Sequence, residues 1–305
     1  MKFQNIFFVL LLVSVLFPAC EDVIDLDLEE GKSQFVIDAW INNMPEEQVI
    51  KLRYTSTYFN STPSPKATGA AVVVTSSTGE SYTFTDENNN GDYTWTPAAG
   101  ESFGGVGEDY LLSVVLDGKE YTAVSTMNRV MPIDTITYED REEERGDPAG
   151  IYAEFFAQDF VGTGDSYWIK AFKNDQYLNK PSELNTAYDA GFTPGGNIDG
   201  LVFITPIRTG INRVPDSGDD AVDDSDQPPY KVGDKITVEI HSLTDEAFFF
   251  LEQALIQMTL GDQTIFASPV VNVPTNIISP SGEEDEAAVG FFCVSAVSRK
   301  ERMVE

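Results

Sequence analysis

Cysteine and histidine are almost missing from this chain: two and one respectively in 305 residues. A cysteine nucleophile needs a histidine base, so Cys293, inside the apolar run Gly290-Phe-Phe-Cys-Val-Ser-Ala-Val297, reads as a small buried hydrophobe. Basic residues are scarce too, 19 Lys and Arg against 50 Asp and Glu, for a formal net charge of −31. Such a chain does not hold nucleic acid through its phosphates, which require clustered cations. An anionic membrane surface repels it. No hydrophobic run is long enough to cross a bilayer: the apolar stretch Ile6–Phe17 has twelve residues, where a span takes about 20. Phosphate loop, dinucleotide fingerprint and CxxC are all absent. The carboxylates are many, but none are marked as a glycosidase pair, which would sit about 5 to 9 Å apart.

The apolar stretch does fit a secretory leader. Lys2 precedes it, and Pro18-Ala19-Cys20 follows. We read residues 1–19 as a signal peptide and Cys20 as the lipidated residue of a tether, 20–33. Each acyl methylene buried in lipid contributes about 0.8 kcal/mol, and two chains hold stably where one does not. The box is imperfect, with Phe17 where Leu is usual. Glu21 and Asp22 behind the cysteine resemble the surface-export signal of Bacteroidota lipoproteins, which implies an outer-membrane location facing the cell exterior. Removing the leader leaves 286 residues, and because it carries only Lys2 the net charge becomes −32.

Beyond the tether, alternating runs separated by turn residues predict strands at Gln34–Ile41, Val49–Thr57, Ala70–Thr75, Ser81–Thr85, Asp92–Thr96, Asp109–Leu116 and Glu120–Ser125. The continuous apolar run of the third suggests burial on both faces. Asp117-Gly118 is a two-residue hairpin signal. Seven short strands in about 100 residues predict an immunoglobulin-like β-sandwich over 34–130. A second β-rich domain, 131–305, is expected to begin near Met131-Pro-Ile-Asp134. Strands there are expected at Ile151–Phe160, Ser166–Phe172, Leu201–Thr205, Lys235–His241, 263–273 and 289–297. Residues 139–150, 174–200 and 208–231 read as loops. One helix is expected near 244–260, capped by Ser242 or Thr244. Phe248, Leu251, Leu255 and Met258 would lie on its core face, broadened by Phe249, Phe250 and Ile256. His241 is expected on the polar face of its strand.

Candidate sites are few. Asp86, Asn88 and Asn90 match the opening of a calcium loop, but position twelve is Pro97 where a bidentate Glu is required. A plain hairpin turn fits better. Asp219, Asp220, Asp223 and Asp224, in a loop of six aspartates, offer oxygen ligands without a fixed cage. No cofactor is required, and calcium is the only one these residues suggest. Tyr58, Phe59, Phe103, Tyr177 and Tyr188 are candidate ligand or partner contacts, as aromatic faces in loops. Tyr54 and Trp95 are expected in the core.

Taken in order, several fragments resemble the Bacteroidota lipoprotein family catalogued as domain of unknown function 4249. They are Cys20 with its acidic stretch, Phe35-Val-Ile-Asp-Ala-Trp-Ile-Asn42, Thr68–Thr75, Gly91-Asp-Tyr93, Tyr110-Leu-Leu-Ser-Val, Tyr121-Thr-Ala, Asp165-Ser-Tyr-Trp-Ile-Lys170, Phe248–Ala254, Phe266-Ala-Ser-Pro, Thr275-Asn-Ile277 and Gly290-Phe-Phe-Cys293. The resemblance implies a surface lipoprotein with an immunoglobulin-like N-terminal domain. It implies no catalytic residues and a role beside TonB-dependent outer-membrane transporters. The expectation is a non-enzymatic accessory subunit of a nutrient uptake complex, partnered by the transporter or a neighbouring surface lipoprotein. The alternatives are a stand-alone glycan- or peptide-binding lipoprotein and a subunit of an outer-membrane insertion or secretion machine.

Overall fold

A computed structural model describes residues 33–56, 62–144, 147–214, 227–260, 273–279 and 287–305. Period-two burial builds the first half. In β1 (Phe35–Asn42), Phe35, Ile37, Ala39 and Ile41 point inward while Val36, Asp38 and Trp40 point out. The same alternation runs through β2 (Gln48–Tyr54), β3 (Ala71–Ser76), β4 (Ser81–Phe84), β5 (Asp92–Trp95), β6 (Asp109–Leu116) and β7 (Lys119–Thr126). β3 departs from expectation. Val72, Val74 and Ser76 are buried but Ala71 is exposed, because none of the described residues covers the outer face of its sheet.

β1-β2-β5 form one sheet and β4-β3-β6-β7 the other. The first, second and fifth strands thus oppose the rest, which is an immunoglobulin-like sandwich. Its core includes Ile37, Ile50, Leu52, Val74, Tyr93, Phe103, Leu112 and Val114. At Asp117 and Gly118 φ is +51° and +78°, so the expected hairpin turn joins β6 to β7. Tyr110 fixes the loop ahead of β6. Its hydroxyl accepts from Gly105 N (2.6 Å) and donates to Gly105 O (3.2 Å), a tyrosine corner.

The second half holds β8 (Thr135–Arg141), β9 (Gly150–Phe156), β10 (Ser166–Lys173), β11 (Gln176–Tyr177), β12 (Asn185–Tyr188), α1 (Thr205–Thr209), β13 (Lys235–Leu243), α2 (Asp245–Leu260), β14 (Val289–Ser295) and β15 (Val297–Met303). β11-β10-β13-β15 run in that order, with β12 also on β10. The β8–β9 hairpin faces this sheet across a second core of Phe155, Tyr167, Ile169, Phe203, Tyr230, Val238 and Ile240. Four expectations change here. Residues 174–200, expected as a loop, contain β11 and β12. Residues 135–141, of which 139–141 fall in an expected loop and the rest are unassigned, form β8. Leu201–Thr205 contributes one bridge, Gln158 to Val202, and then opens α1, where Pro206 suits a helix start. Residues 297–303, unassigned in the sequence beyond 297, form β15.

The largest departure concerns the division at 130. β14 lies parallel beside β1 in the first sandwich, Val36 to Asn42 aligned with Val289 to Ser295. Phe292 and Val294 complete the first core, and Ile277 joins them. After one residue, Ala296, the chain enters the second sheet as β15. A Cβ on Gly290 (φ +103°) would meet Ile37 O at 2.1 Å, so only glycine allows this approach. Side chains lock the crossover. Ser242 Oγ donates to Asn128 O (2.8 Å) and accepts from Ala296 N (2.9 Å), while Asn128 Nδ2 donates to Leu243 O (2.8 Å).

α2 is therefore capped by Thr244 alone, whose Oγ1 accepts from Ala247 N (3.2 Å). Its first turns bury Ala247, Phe248 and Leu251 in a third cluster with Cys293 and Phe291, flanked by Trp40, Trp168 and Phe250. The later helix differs from the expected stripe. Ile256 and Met258 are exposed, and so is Phe249 earlier in the helix, beside the buried Phe248. The expected strand at 263–273 lies almost wholly outside the described residues. No described helix is long and apolar enough to cross a membrane.

Candidate functional site

The single histidine is buried, not on a polar face, because both faces of β13 are covered. His241 Nε2 meets Glu239 Oε2 at 2.9 Å, and Arg299 Nη1 reaches Glu239 Oε1 at 3.3 Å. Burial, helped by the nearby Lys170 charge, lowers His241 to about 4 against the pull of Glu239. Glu239 in turn lies below the usual carboxylate range: burial opposes ionisation, and His241, Lys170 and Arg299 together outweigh it. Cys293 is also buried, and burial pushes its thiol up to about 11. Its polar neighbours are Ser295 Oγ at 3.7 Å, the Ser125 side chain and the Thr244 backbone. Neither group is arranged as a nucleophile with a base.

Three carboxylates converge elsewhere: one oxygen each of Asp159, Asp189 and Asp199 lies within 4.8 Å of the others, the one such group among the described residues. Asp159 accepts from Tyr167 Oη (2.8 Å) and Gly200 N (3.2 Å). Asp189 Oδ1 accepts from Gly164 N (2.8 Å) and Asp165 N (3.2 Å), and Asp199 from Gly162 N (2.9 Å). Burial raises Asp159 despite these donors, and the charges of Asp165 and Asp189 add to the rise. Hard oxygen ligands of this kind suit calcium. They also serve as staples for the 159–165 and 189–200 loops. The sequence offered no signal for them, since the three lie 30 and 10 residues apart with no motif between.

The residues singled out in the sequence scatter. Asp86 accepts from Asn90 N (3.0 Å) and Gly91 N (2.9 Å), and Asn90 Oδ1 from Asp92 N (2.9 Å), so their oxygens close the turn between β4 and β5. Asn88 lines a shallow cavity of about 290 Å³ beside that turn. Phe103, expected as a contact, is 0% exposed. It folds back between the sheets against Tyr82, Trp95 and Tyr110, closing the open end of the sandwich. Tyr188 is half-buried, edge-on to Phe248. Tyr177 is half-buried against Phe172. Cys20, Glu21, Asp22, Tyr58, Phe59, Asp219, Asp220, Asp223 and Asp224 lie outside the described residues.

A surface feature does stand out. The outer face of β4-β3-β6-β7 presents Ala71, Val73, Thr75, Thr83, Leu111, Ser113, Val115, Thr122 and Val124. Ile278, bridged to Thr122, extends it. Val124 is 56% and Ile278 67% exposed, and Leu111 and Val115 are open as well. Asp109 and Glu120 are the acids at its rim. The second half carries an open cavity of about 400 Å³, lined by Arg141, Tyr152, Pro206 and Asn212 among others.

Comparisons with known proteins agree on little beyond family. No curated protein matches. Among solved structures, a two-domain fibronectin type-III segment of chicken tenascin is similar at 14% identity, covering 70% of this chain and 92% of that one, with a TM-score of 0.20. The model of a family described as a domain of unknown function, DUF4249, matches residues 21–301. That match takes in both β-sandwich halves and the strands that join them, and the chain belongs to this family.

Proposed function

We propose that this chain is a non-enzymatic lipoprotein of the outer membrane, facing the cell exterior. Cys20 carries the acyl chains and Glu21 and Asp22 direct export. There it serves as an accessory subunit of a TonB-dependent nutrient uptake complex. The observation that carries the reading is the open face around Leu111, Val115, Val124 and Ile278. On a chain of net charge −31 it is a large sheet surface nearly free of charge. Contiguous exposed apolar surface marks a protein contact, and general repulsion between acidic bodies directs that contact here. The sole histidine and the Cys293 thiol are packed away from solvent, which fits a scaffold better than a catalyst.

The test is co-purification after mild detergent extraction. The wild-type chain brings a transporter or neighbouring lipoprotein with it. Leu111→Lys with Val124→Glu, an opposite-charge cross-strand pair on the solvent side, keeps thermal unfolding near that of the wild type and lowers the recovered partner about tenfold or more, a loss of about 1.4 kcal/mol. A wild-type chain recovered alone overturns the reading.

A further inference from the structure

The last strand of the second sheet is paired on one side only. β15 joins β13 and ends the order β11-β10-β13-β15. Ser242 N donates to Ala296 O (3.0 Å) and Val304 N to Asp234 O (2.9 Å). These two bonds fix the phase of the ladder: Ala296, Ser298, Lys300, Arg302 and Val304 turn their backbone groups toward β13. Val297, Arg299, Glu301 and Met303 turn theirs outward. Val297 N is answered by Asn43 Oδ1 at 2.9 Å. No described residue bonds the outward N–H and C=O of Arg299, Glu301 and Met303, and all three are exposed. Such an edge is a template for a further strand.

The charge along this edge is opposite to that of the chain. With 19 Lys and Arg against 50 Asp and Glu, the sequence puts three cations within four residues at one place, Arg299, Lys300 and Arg302. Register sets Lys300 opposite Val238 and Arg302 opposite Ile236, so both side chains leave on the face that carries the second core. There Lys300 Nζ donates to Ile133 O (3.3 Å) and Asp134 O (2.6 Å), and Arg302 lies 5.6 Å from the Tyr138 ring centroid. Among the described residues no carboxylate comes within ion-pair distance of either. Arg299, on the other face, holds Glu239 (3.3 Å) and Glu301 (2.9 Å). Cations on an edge strand guard it against pairing with its own kind. That guard is selective, since it repels a second copy of the same edge and attracts a strand of acids.

We propose that the outer edge of β15, from Arg299 to Met303, takes up an extended acidic segment of a partner protein as an additional strand. The partner's backbone pairs with Arg299, Glu301 and Met303. Its carboxylates, at every second position, meet Lys300 and Arg302 on one face. Residues two apart along a strand stand about 7 Å apart, so the acids of the incoming strand and the cations of β15 share one repeat. The residues between the acids fall on the other face, beside Met303 and the stem of Arg299, where an apolar side chain fits. Backbone bonds supply the affinity and the alternating charge supplies the choice of partner. This edge belongs to the second half, apart from the face around Leu111, and its occupancy does not depend on the location proposed above.

Amide hydrogen exchange of the full chain in detergent, resolved by residue with nuclear magnetic resonance, is the test. The probe is the end-capped peptide T-D-V-D-V-D-T, with T-N-V-N-V-N-T as the neutral control. In the free chain the amides of Lys300 and Arg302 exchange slowly and those of Arg299, Glu301 and Met303 fast. The acidic peptide, at about millimolar concentration, slows those three severalfold or more, and the neutral peptide leaves them fast. Lys300→Gln with Arg302→Gln removes the protection. Glu301→Pro takes away one outward N–H, which an edge strand tolerates. It also keeps all three cations and deletes an acid, so a contact made by charge alone tightens while an added strand is lost. Should Glu301→Pro unfold the second sheet, Met303→Pro serves in its place. No protection by the acidic peptide, equal protection by the neutral one, or undiminished binding in the proline variant overturns the proposal.

Discussion

Single residues set local geometry here more than chemistry. Tyr110 ties its hydroxyl to both backbone groups of Gly105 and also approaches Glu108 Oε2 at 3.2 Å. Tyr110→Phe leaves the ring in the core but strands the Gly105 groups, and the urea midpoint falls by an amount worth about 1–3 kcal/mol. His241 gives a pH signature. Its folded pKa, about 4, is below the value of 6.5 for an exposed histidine. Between these limits the unfolded chain holds the extra proton, so stability is fully present above about 6.5 and declines as pH falls toward 4. Denaturant titrations at both ends of that window measure the decline. His241→Gln, which has no proton to gain, flattens this part of the profile, and an unchanged slope contradicts the assignment. None of this was legible in the strand pattern. Alternation put His241 opposite Ile240 correctly, but whether the second face meets solvent depends on Trp168 and Trp40, which arrive from far along the chain.

At the scale of elements, local sequence was informative wherever a strand forms a hairpin with its neighbour. β6 and β7 were readable from alternation and Asp117-Gly118, and α2 from Thr244, the acidic first turn and helical spacing. β14 could be seen as a strand, yet its place could not. Its neighbour β1 lies more than 240 residues earlier, and parallel pairing leaves no turn to read. The helix stripe overreached for a related reason: periodicity shows a face, and what packs against it in the tertiary structure decides how much of it is covered. Phe292→Ala tests the joining strand. The ring is fully buried in the first core, and its removal costs about 3–5 kcal/mol. Melting followed by tryptophan fluorescence reads the effect, and a loss of less than about 1 kcal/mol denies β14 its part in that core.

For the molecule as a whole, one consequence dominates. β14 completes the first sandwich and β15 the second, with Ala296 alone between them. Two domains joined only by a linker near 130 would melt separately. Here the halves share their last strands, and residues 33–305 pack as one unit. We expect a single urea transition reported equally by Trp95 in the first half and Trp168 in the second, in single-tryptophan variants. Truncation after residue 286 removes both strands and destabilises both reporters together. Two separated midpoints in the intact chain would contradict the shared-strand architecture.

By itself the sequence determined the β class, the immunoglobulin-like first half, the capped helix and the poverty of catalytic groups. Each is written in local alternation, in turn residues or in composition, which act over a few positions. Tertiary structure alone decided which sheet the last strands enter, that the histidine is sealed, and that Asp159, Asp189 and Asp199 meet. Those outcomes depend on burial and on contacts between residues distant in the chain, and no local period encodes them.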